Sequence, residues 1–153
     1  MGYDGSRHAE DALQRAIELG QAFGATVIVT DVAALSGATA TTGAFGLMPY
    51  DAQTAQTELE AGEALWVEHR EHVDRLLTDK GVAHEFEGVA GQATQALVEV
   101  AERHDADLVI VGTRDAGLFE RVFSPSVSRG VARDAPCDVL IVRSESGDEP
   151  SDG

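Results

Sequence analysis

The stretch DLVIVGTRDAGLFERVFSPSVSRGVARDAPCDVLIV, residues 107–142, decides the fold of this chain. It opens with an apolar run, DLVIV (107–111), whose composition is typical of a strand buried on both faces. It closes with a second such run, DVLIV (138–142), and a short helix is predicted between them at 124–133. A strand, a helix and a strand in this order predict a right-handed crossover between parallel strands. The stretch therefore indicates an α/β domain.

The remaining chain continues this alternation of helices and strands. Helices are predicted at 6–23, 51–80 and 93–104, and strands at 26–32 and 82–89. Ser6 is expected to cap the first helix, and Gly24 and Gly81 are expected to end the first two. The strand at 82–89 alternates glutamates with less polar residues, which indicates a half-exposed edge strand. Residues 33–50, rich in Gly, Ala and Thr, are expected to form a long loop.

The pattern begins with too few residues for a full first strand. Only Met1, Gly2 and Tyr3 precede Asp4, whereas a strand usually has about five residues. We therefore expect a truncated first strand. The hypothesis is that several apolar residues stand upstream of Met1, behind an alternative initiation codon, and the intact mass of the natively expressed protein would test it. The alternative is a domain that has only a stub there.

The charge of the chain excludes some partners and indicates an adaptation to salt. The net charge is −16, and Lys80 is the only lysine among eleven basic residues. A binder of nucleic acid or of an anionic membrane needs a basic face, so neither partner is expected. High salt screens the self-repulsion of so acidic a surface. We therefore interpret the protein as acidic in the manner of halophilic, haloarchaeal-type proteins.

The expected compartment is the cytoplasm. No apolar run approaches the roughly 20 residues that cross a bilayer, and the sequence MGYDGSRHAE is not a secretory signal. Cys137 is the single cysteine, so the chain cannot form an internal disulfide, which suits a reducing compartment.

Two segments carry a resemblance to a known family. YDGSRHAEDALQRAIELG (3–20) resembles the first turn and helix of universal stress proteins, and residues 111–142 resemble their C-terminal signature. The similarity spans residues 1–143 and leaves 144–153 as an acidic, disordered tail. It implies an open, Rossmann-like sheet of five parallel strands in the order 3-2-1-4-5, with helices on both faces. It also implies a stress-response regulator that forms homodimers through its last strand, Cys137 to Val142.

Many members of that family bind ATP through a loop that reads Gly, two residues, Gly, nine residues, Gly, then Ser or Thr. Gly112 matches the first glycine, but Asp115 and Pro125 replace the other two, with Ser126 following. Pro125 has no N–H to offer a phosphate. Asp115 places a negative charge there, and like charges about 4 Å apart repel by about 4 kcal/mol at an effective dielectric constant of 20. ATP with Mg is therefore expected to bind weakly or not at all, and no cofactor is assigned.

The resemblance also implies which residues would contact a nucleotide. Asp4 ends the first strand beside the adenine and ribose, and Val32 ends the second strand and lines the adenine pocket. The candidate phosphate-binding residues are Gly112, Arg114, Ser126, Val127 and Ser128. Simpler interpretations stay open: Asp4 as a turn residue, Val32 as core, residues 124–126 as a capped helix start, and the arginines as a solvated face.

The histidines indicate neither a metal site nor a catalytic site. His69 and His72 lie three residues apart on one predicted helix, but no third ligand is indicated. His69 lies near the predicted core face and is interpreted as a partial core residue, and solvated helix histidines are favoured over metal ligands for the pair. No metal ligand and no catalytic residue are assigned.

Two functions follow from the sequence. The first is a non-catalytic, homodimeric stress regulator that acts through protein contacts, with weak or absent ATP binding. The second is an ATP-binding switch with slow hydrolysis or self-phosphorylation on Ser126 or Ser128. A third class, the ATP-pyrophosphatases of related fold, needs a longer loop than Asp4-Gly5-Ser6 provides.

Overall fold

Strands and helices alternate along the chain as the hydrophobic pattern predicts. The computed structural model describes residues 1–33, 52–113 and 127–144. The elements are β1 (Gly2–Tyr3), α1 (Arg7–Phe23), β2 (Val27–Ala33), α2 (Ala52–Asp79), β3 (His84–Ala90), α3 (Ala93–Arg103), β4 (Leu108–Thr113), α4 (Val127–Asp134) and β5 (Asp138–Arg143). The predicted elements are confirmed with small shifts at their ends. The predicted loop lies outside the described residues except for Ala33, which ends β2.

The ends of α1 have the caps that the sequence predicts. The Ser6 side chain accepts a hydrogen bond of 3.2 Å from the N–H of Ala9, which satisfies one of the free donors of the first turn. Gly24 ends the helix in the left-handed conformation, with φ of 63°, and its N–H donates to the carbonyl of Gly20. A side chain would be strained at that φ, so glycine suits the position.

The strands form two parallel ladders. β1, β2 and β3 pair in that order, with Tyr3 opposite Asp31 and Val32 opposite Val89, and β4 pairs with β5. The expectation of one continuous five-stranded sheet in the order 3-2-1-4-5 is therefore wrong for this structure. The reason lies in β1, which is truncated as predicted: two residues offer too few backbone groups to hold a ladder with both β2 and β4.

Helices cover both faces of the strands, as predicted. Ile110 of β4 belongs to the core that also contains apolar residues of α1 and α2. Its neighbours Val109 and Val111 belong to a second core with residues of α3 and α4. Because successive side chains of a strand point to opposite faces, α1 and α2 lie on one face and α3 and α4 on the other.

The chain returns to α1 after the last strand. Ser144 is buried, and its Oγ lies 2.7 Å from Nδ1 of His8. Ser144 is the first residue of the predicted tail, and the rest of that tail, 145–153, lies outside the described residues.

α2 is long but polar. It spans 28 residues and buries Val73 and Leu77. Within 1–33, 52–113 and 127–144, no helix combines the length and the apolar character that crossing a membrane requires.

Candidate functional site

The carboxyl ends of β1 and β2 place two of the predicted ligand residues side by side. Tyr3 pairs with Asp31 in the parallel ladder, so Asp4 and Val32 follow directly at the same edge. Val32 is half-buried and Asp4 is exposed. An open α/β sheet binds its ligands at this edge, which we call the carboxyl edge.

Gly112 brings β4 to the carboxyl edge as well. A Cβ built on Gly112 would lie 2.2 Å from the carbonyl oxygen of His8. His8 is in the first turn of α1, directly after the Asp4–Ser6 turn. The carboxyl end of β4 therefore touches the start of α1, and glycine is required there for close packing. The sequence analysis assigned this glycine to phosphate binding alone.

The start of α4 lies beside the end of β4. The Ser128 hydroxyl is 3.5 Å from Oγ1 of Thr113, and Ser128 is only 5% exposed. Val127, the first residue of α4, is exposed. The first N–H groups of a helix and its positive dipole end favour an anion. Ser128 thus lies beside the end of β4, and Val127 precedes it as the first residue of α4.

The middle of the predicted phosphate loop, residues 114–126, is not among the described residues. Arg114 and Ser126, two of the predicted ligand residues, lie outside the described residues. The same is true of Asp115 and Pro125, the residues on which the expectation of weak ATP binding rests. The structure thus brings the two ends of the loop together, at Gly112 and Ser128.

Asp4 has the turn role that the sequence left open. Its Oδ1 accepts a hydrogen bond of 3.0 Å from the N–H of Ser6, and Gly5 between them has a φ of 72°. One carboxylate oxygen is thus held in the turn. Because Asp4 remains exposed, this contact leaves the side chain accessible to a ligand.

A buried carboxylate and histidine pair lies beneath this turn, and the sequence analysis missed it. Nδ1 of His69 lies 2.5 Å from Oδ2 of Asp31, and the two side chains are 16% and 7% exposed. Burial raises the pKa of the Asp31 carboxyl, and the hydrogen bond from His69 partly offsets that rise. The prediction of a solvated histidine is wrong for His69, whereas its expected place near the core is correct.

Tyr3 connects the Asp31 and His69 pair to a second pair, Glu10 and His72. Its ring meets His69 edge-on at 5.3 Å and stacks on His72 at 6.5 Å. Its hydroxyl donates to Glu10, and Nε2 of His72 lies 2.9 Å from the same carboxylate. Burial, followed by the hydrogen bond to Glu10, raises the pKa of the Tyr3 hydroxyl. The tyrosine hydroxyl therefore stays protonated and holds β1 to the start of α1, while the ring of Tyr3 packs against α2.

A cavity of about 360 Å³ opens beside these residues. Its lining consists of Tyr3, Gly5, Glu10, Glu68, His69, Glu71, His72 and Arg75. Three carboxylates against one guanidinium make it unfavourable for phosphate groups. Any nucleotide phosphates would therefore lie toward α4 and not in this cavity.

A third polar group lies away from the carboxyl edge. Potential ligand atoms of Glu85, Glu87 and His104 lie within 4.8 Å of one another. Glu87 is already bonded to Arg103 at 2.6 Å and to His104. The spacing of the histidines and Cys137 did not reveal this contact between β3 and α3, which serves as an ion-pair network in the structure.

The chain resembles known proteins over nearly its whole length. The sequence pattern of the Universal stress protein family matches residues 1–143. A curated relative in Staphylococcus saprophyticus, named as a universal stress protein, is 29% identical over 147 residues. The matched region covers 95% of this chain and 82% of the length of the relative.

Solved structures agree with the fold. A universal stress protein family member from Burkholderia pseudomallei is 23% identical, with a TM-score of 0.64 and coverage of 94% and 92% of the two chains. A universal stress protein in complex with cAMP is 26% identical, with a TM-score of 0.60 and coverage of 94% and 93%. A family protein from Arabidopsis thaliana with AMP bound is 18% identical, with a TM-score of 0.60 and coverage of 94% and 83%.

Proposed function

The chain belongs to the universal stress protein family, and from this membership we propose that it is a non-catalytic, homodimeric regulator that binds adenine nucleotides weakly at the carboxyl edge. One observation carries the proposal: Asp4, Val32, Gly112 and Ser128 come from separate elements and converge on that edge. Adenine nucleotides are the ligands of choice because similar proteins have been solved with cAMP and with AMP.

The start of α4 together with the loop sequence supports a ligand with one phosphate rather than a triphosphate. The first N–H groups of α4 offer donors for a single phosphate close to the end of β4. In the loop sequence, Asp115 and Pro125 replace two glycines, so additional phosphates are expected to meet a like charge and to lack one N–H donor. We therefore expect ATP to bind no more tightly than AMP.

The alternative function is an ATP-binding switch with slow hydrolysis or self-phosphorylation. The nucleotides in similar structures favour it. However, Ser128, one of the two proposed acceptors, is only 5% exposed, so its hydroxyl is shielded from phosphoryl transfer. This burial is a reason to prefer the non-catalytic regulator.

Nucleotide titration tests the proposal. Calorimetry in high KCl with AMP, cAMP and Mg-ATP is expected to give similar dissociation constants above about 100 μM. Asp4→Asn should weaken AMP binding about fivefold or more, because it removes the charge and keeps an oxygen for the turn. Asp79→Asn, an exposed change at the end of α2, is the matched control and should leave binding unchanged. Micromolar ATP binding would overturn the expected weak affinity.

Returning positions 115 and 125 to glycine tests whether Asp115 and Pro125 weaken the binding of ATP. Asp115→Gly with Pro125→Gly should raise ATP affinity about tenfold or more, because it removes a like charge and restores an N–H. AMP affinity should change little. An equal gain for both nucleotides would place the effect outside the triphosphate subsite.

The dimer in this proposal is formed through β5. β5 pairs with β4 and lies at the edge of that ladder in the described part of the chain. Ile141 is 39% exposed there, and an edge strand with an exposed apolar residue is suited to pairing with a second copy. Ile141→Lys is therefore expected to give monomers in light scattering, whereas Val67→Lys on the exposed face of α2 should not. Dimers in both variants would place the interface elsewhere.

The proposal also places the protein in the cytoplasm. The single cysteine, Cys137, supports a reducing compartment. The pKa of the Cys137 thiol is raised, mainly by burial. The thiol therefore stays in its less reactive protonated form.

A further inference from the structure

Three groups of the kind that bind metals come together where β3 passes the end of α3. Carboxylate oxygens of Glu85 and Glu87 and an imidazole nitrogen of His104 all lie within 4.8 Å of one another. Two ligand atoms of a tetrahedral zinc ion, each about 2.0–2.2 Å from the metal, are about 3.4 Å apart. Small rotations of the side chains would therefore bring all three groups onto a single ion.

Two elements that other contacts hold in place carry these groups. Glu85 and Glu87 are two positions apart on β3, so their side chains point to the same face, and both residues are paired with β2 in the parallel ladder. His104 follows the last residue of α3, and its N–H donates to the carbonyl of Val100 at 3.1 Å. The backbone therefore presents the ligands without a rearrangement of the fold.

The charges around the three groups leave one carboxylate without a cation. Glu87 pairs with Arg103 at 2.6 Å through Oε2, and its Oε1 lies beside Nε2 of His104. Glu85 is exposed, and its carboxylate makes no hydrogen bond or ion pair with the described part of the chain. The negative end of the α3 dipole also lies here. A bound cation would relieve the repulsion between the two glutamates.

The ligand types favour zinc over magnesium or calcium. One imidazole nitrogen with carboxylate oxygens is a set that Zn²⁺ accepts, whereas Mg²⁺ and Ca²⁺ prefer oxygen ligands alone. Zinc would replace the hydrogen bond between Nε2 of His104 and Oε1 of Glu87 with two metal bonds and release the proton that the nitrogens of a charged ring do not both keep. Arg103 would still hold Oε2 of Glu87 and orient the carboxylate.

We propose that Glu85, Glu87 and His104 form a zinc site that links β3 to the end of α3, with water completing the coordination. The ligands are brought together by the fold, so zinc binds the folded chain in preference to the unfolded chain and stabilises it. The site lies away from the carboxyl edge, and the proposal does not depend on nucleotide binding.

Calorimetry of the full chain with Zn²⁺ tests the site. The protein is freed of metal with a chelator and titrated in about 1 M KCl, which screens non-specific attraction to the acidic surface. One Zn²⁺ per chain is expected to bind with a dissociation constant of about 10 μM or lower, and excess Mg²⁺ should not compete. Zinc at about a hundredfold excess over that constant should raise the Tm by about 5 °C or more.

Two variants remove ligands one at a time. Glu85→Gln, at an exposed position, and His104→Ala should each weaken zinc binding by about tenfold or more, because losing a group that only hydrogen-bonds to a ligand already costs about 10- to 100-fold. His84→Ala is the matched control: His84 lies 3.2 Å from a single carboxylate, that of Asp74, and zinc affinity should not change. Glu85→Gln keeps the test decisive if His104→Ala does not fold.

The proposal fails on any of three results. Zinc affinity in Glu85→Gln equal to that of the unaltered chain would place the ion elsewhere. Binding of Mg²⁺ as tight as that of Zn²⁺ would show an acidic patch without a zinc site. A dissociation constant for Zn²⁺ above about 1 mM would show that the ion pairs with Arg103 and His104 are preferred to the metal.

Discussion

Gly112 shows that a glycine in a candidate ligand loop can be required by packing. Its missing side chain leaves room for the backbone of α1, since a Cβ would lie 2.2 Å from His8 O. A loss of nucleotide binding in a Gly112 variant would therefore not identify a ligand contact. Asp4, whose side chain is exposed, is a better position for that purpose.

Gly112→Ala is expected to lower the free energy of unfolding by about 2–3 kcal/mol, measured by urea denaturation. Gly130→Ala is the matched comparison, because its Cβ would meet the Thr94 side chain at 2.7 Å. A side chain can rotate away and a helix backbone cannot. We therefore expect a smaller loss at Gly130, and equal losses would contradict the packing role of Gly112.

The Asp31 and His69 pair should couple strongly because both side chains are buried. A double-mutant cycle with Asp31→Ala and His69→Ala is expected to give a coupling energy of about 2 kcal/mol in urea denaturation. The comparison is Asp74 and His84, at 3.2 Å, where the Asp74 side chain is 47% exposed and water screens the pair more. Its coupling should stay below about 0.5 kcal/mol. Similar coupling in both pairs would contradict the effect of burial.

The Asp31 and His69 pair also shows which part of the candidate site could be predicted from the sequence. Asp4 and Gly112 lie at strand ends within sequence motifs, so their position at the same edge of the strands follows from the fold. Asp31 lies inside an apolar strand, and His69 is 38 positions away on α2. No spacing rule connects them, because the contact depends on how α2 packs across β2.

At the level of elements, periodicity predicted the helices and strands because each has a face that must be buried. It could not predict the pairing of β1. The order 3-2-1-4-5 requires β1 to hold two neighbours, and a two-residue strand pairs with β2 alone. The local hydrophobic pattern determines which segments become helices or strands. Whether two ladders join into one sheet depends on how many backbone N–H and C=O groups the strand between them offers.

The buried end of β1 predicts a dependence of stability on pH. The Met1 amine has a pKa of about 6 in the folded chain against 8.0 ordinarily, so the unfolded chain takes up the proton first. The contribution of this amine to the free energy of unfolding is therefore complete above pH 8 and is lost as the pH falls toward 6. The expected loss is about 2–3 kcal/mol, measured by urea denaturation on protein whose mass confirms that Met1 is retained.

Acetylation of the Met1 amine provides the control for this dependence. It removes the titrating group and leaves every histidine in place. The acetylated protein should lose the part of the pH dependence between 8 and 6 that the amine causes. Identical profiles with and without acetylation would show that the amine does not titrate as its burial requires.

For the molecule as a whole, a net charge of −16 predicts stabilisation by salt. Raising KCl shortens the screening length from about 10 Å at 0.1 M to about 3 Å at 1 M, which weakens repulsion among the carboxylates. The Tm is therefore expected to rise by about 5 °C or more between 0.1 and 2 M KCl. Equal melting temperatures would contradict the interpretation of the surface as adapted to salt.

The contact between Ser144 and His8 has a practical consequence for labelling. It fastens the end of β5 to the first turn of α1, which Gly112 touches at the carboxyl edge. Any affinity tag or fluorescent fusion placed after Ser144 therefore starts beside the candidate nucleotide site. A purification tag fused directly to Ser144 should be cleaved before ligands are titrated, and a fluorophore fused there would be well placed to report their arrival.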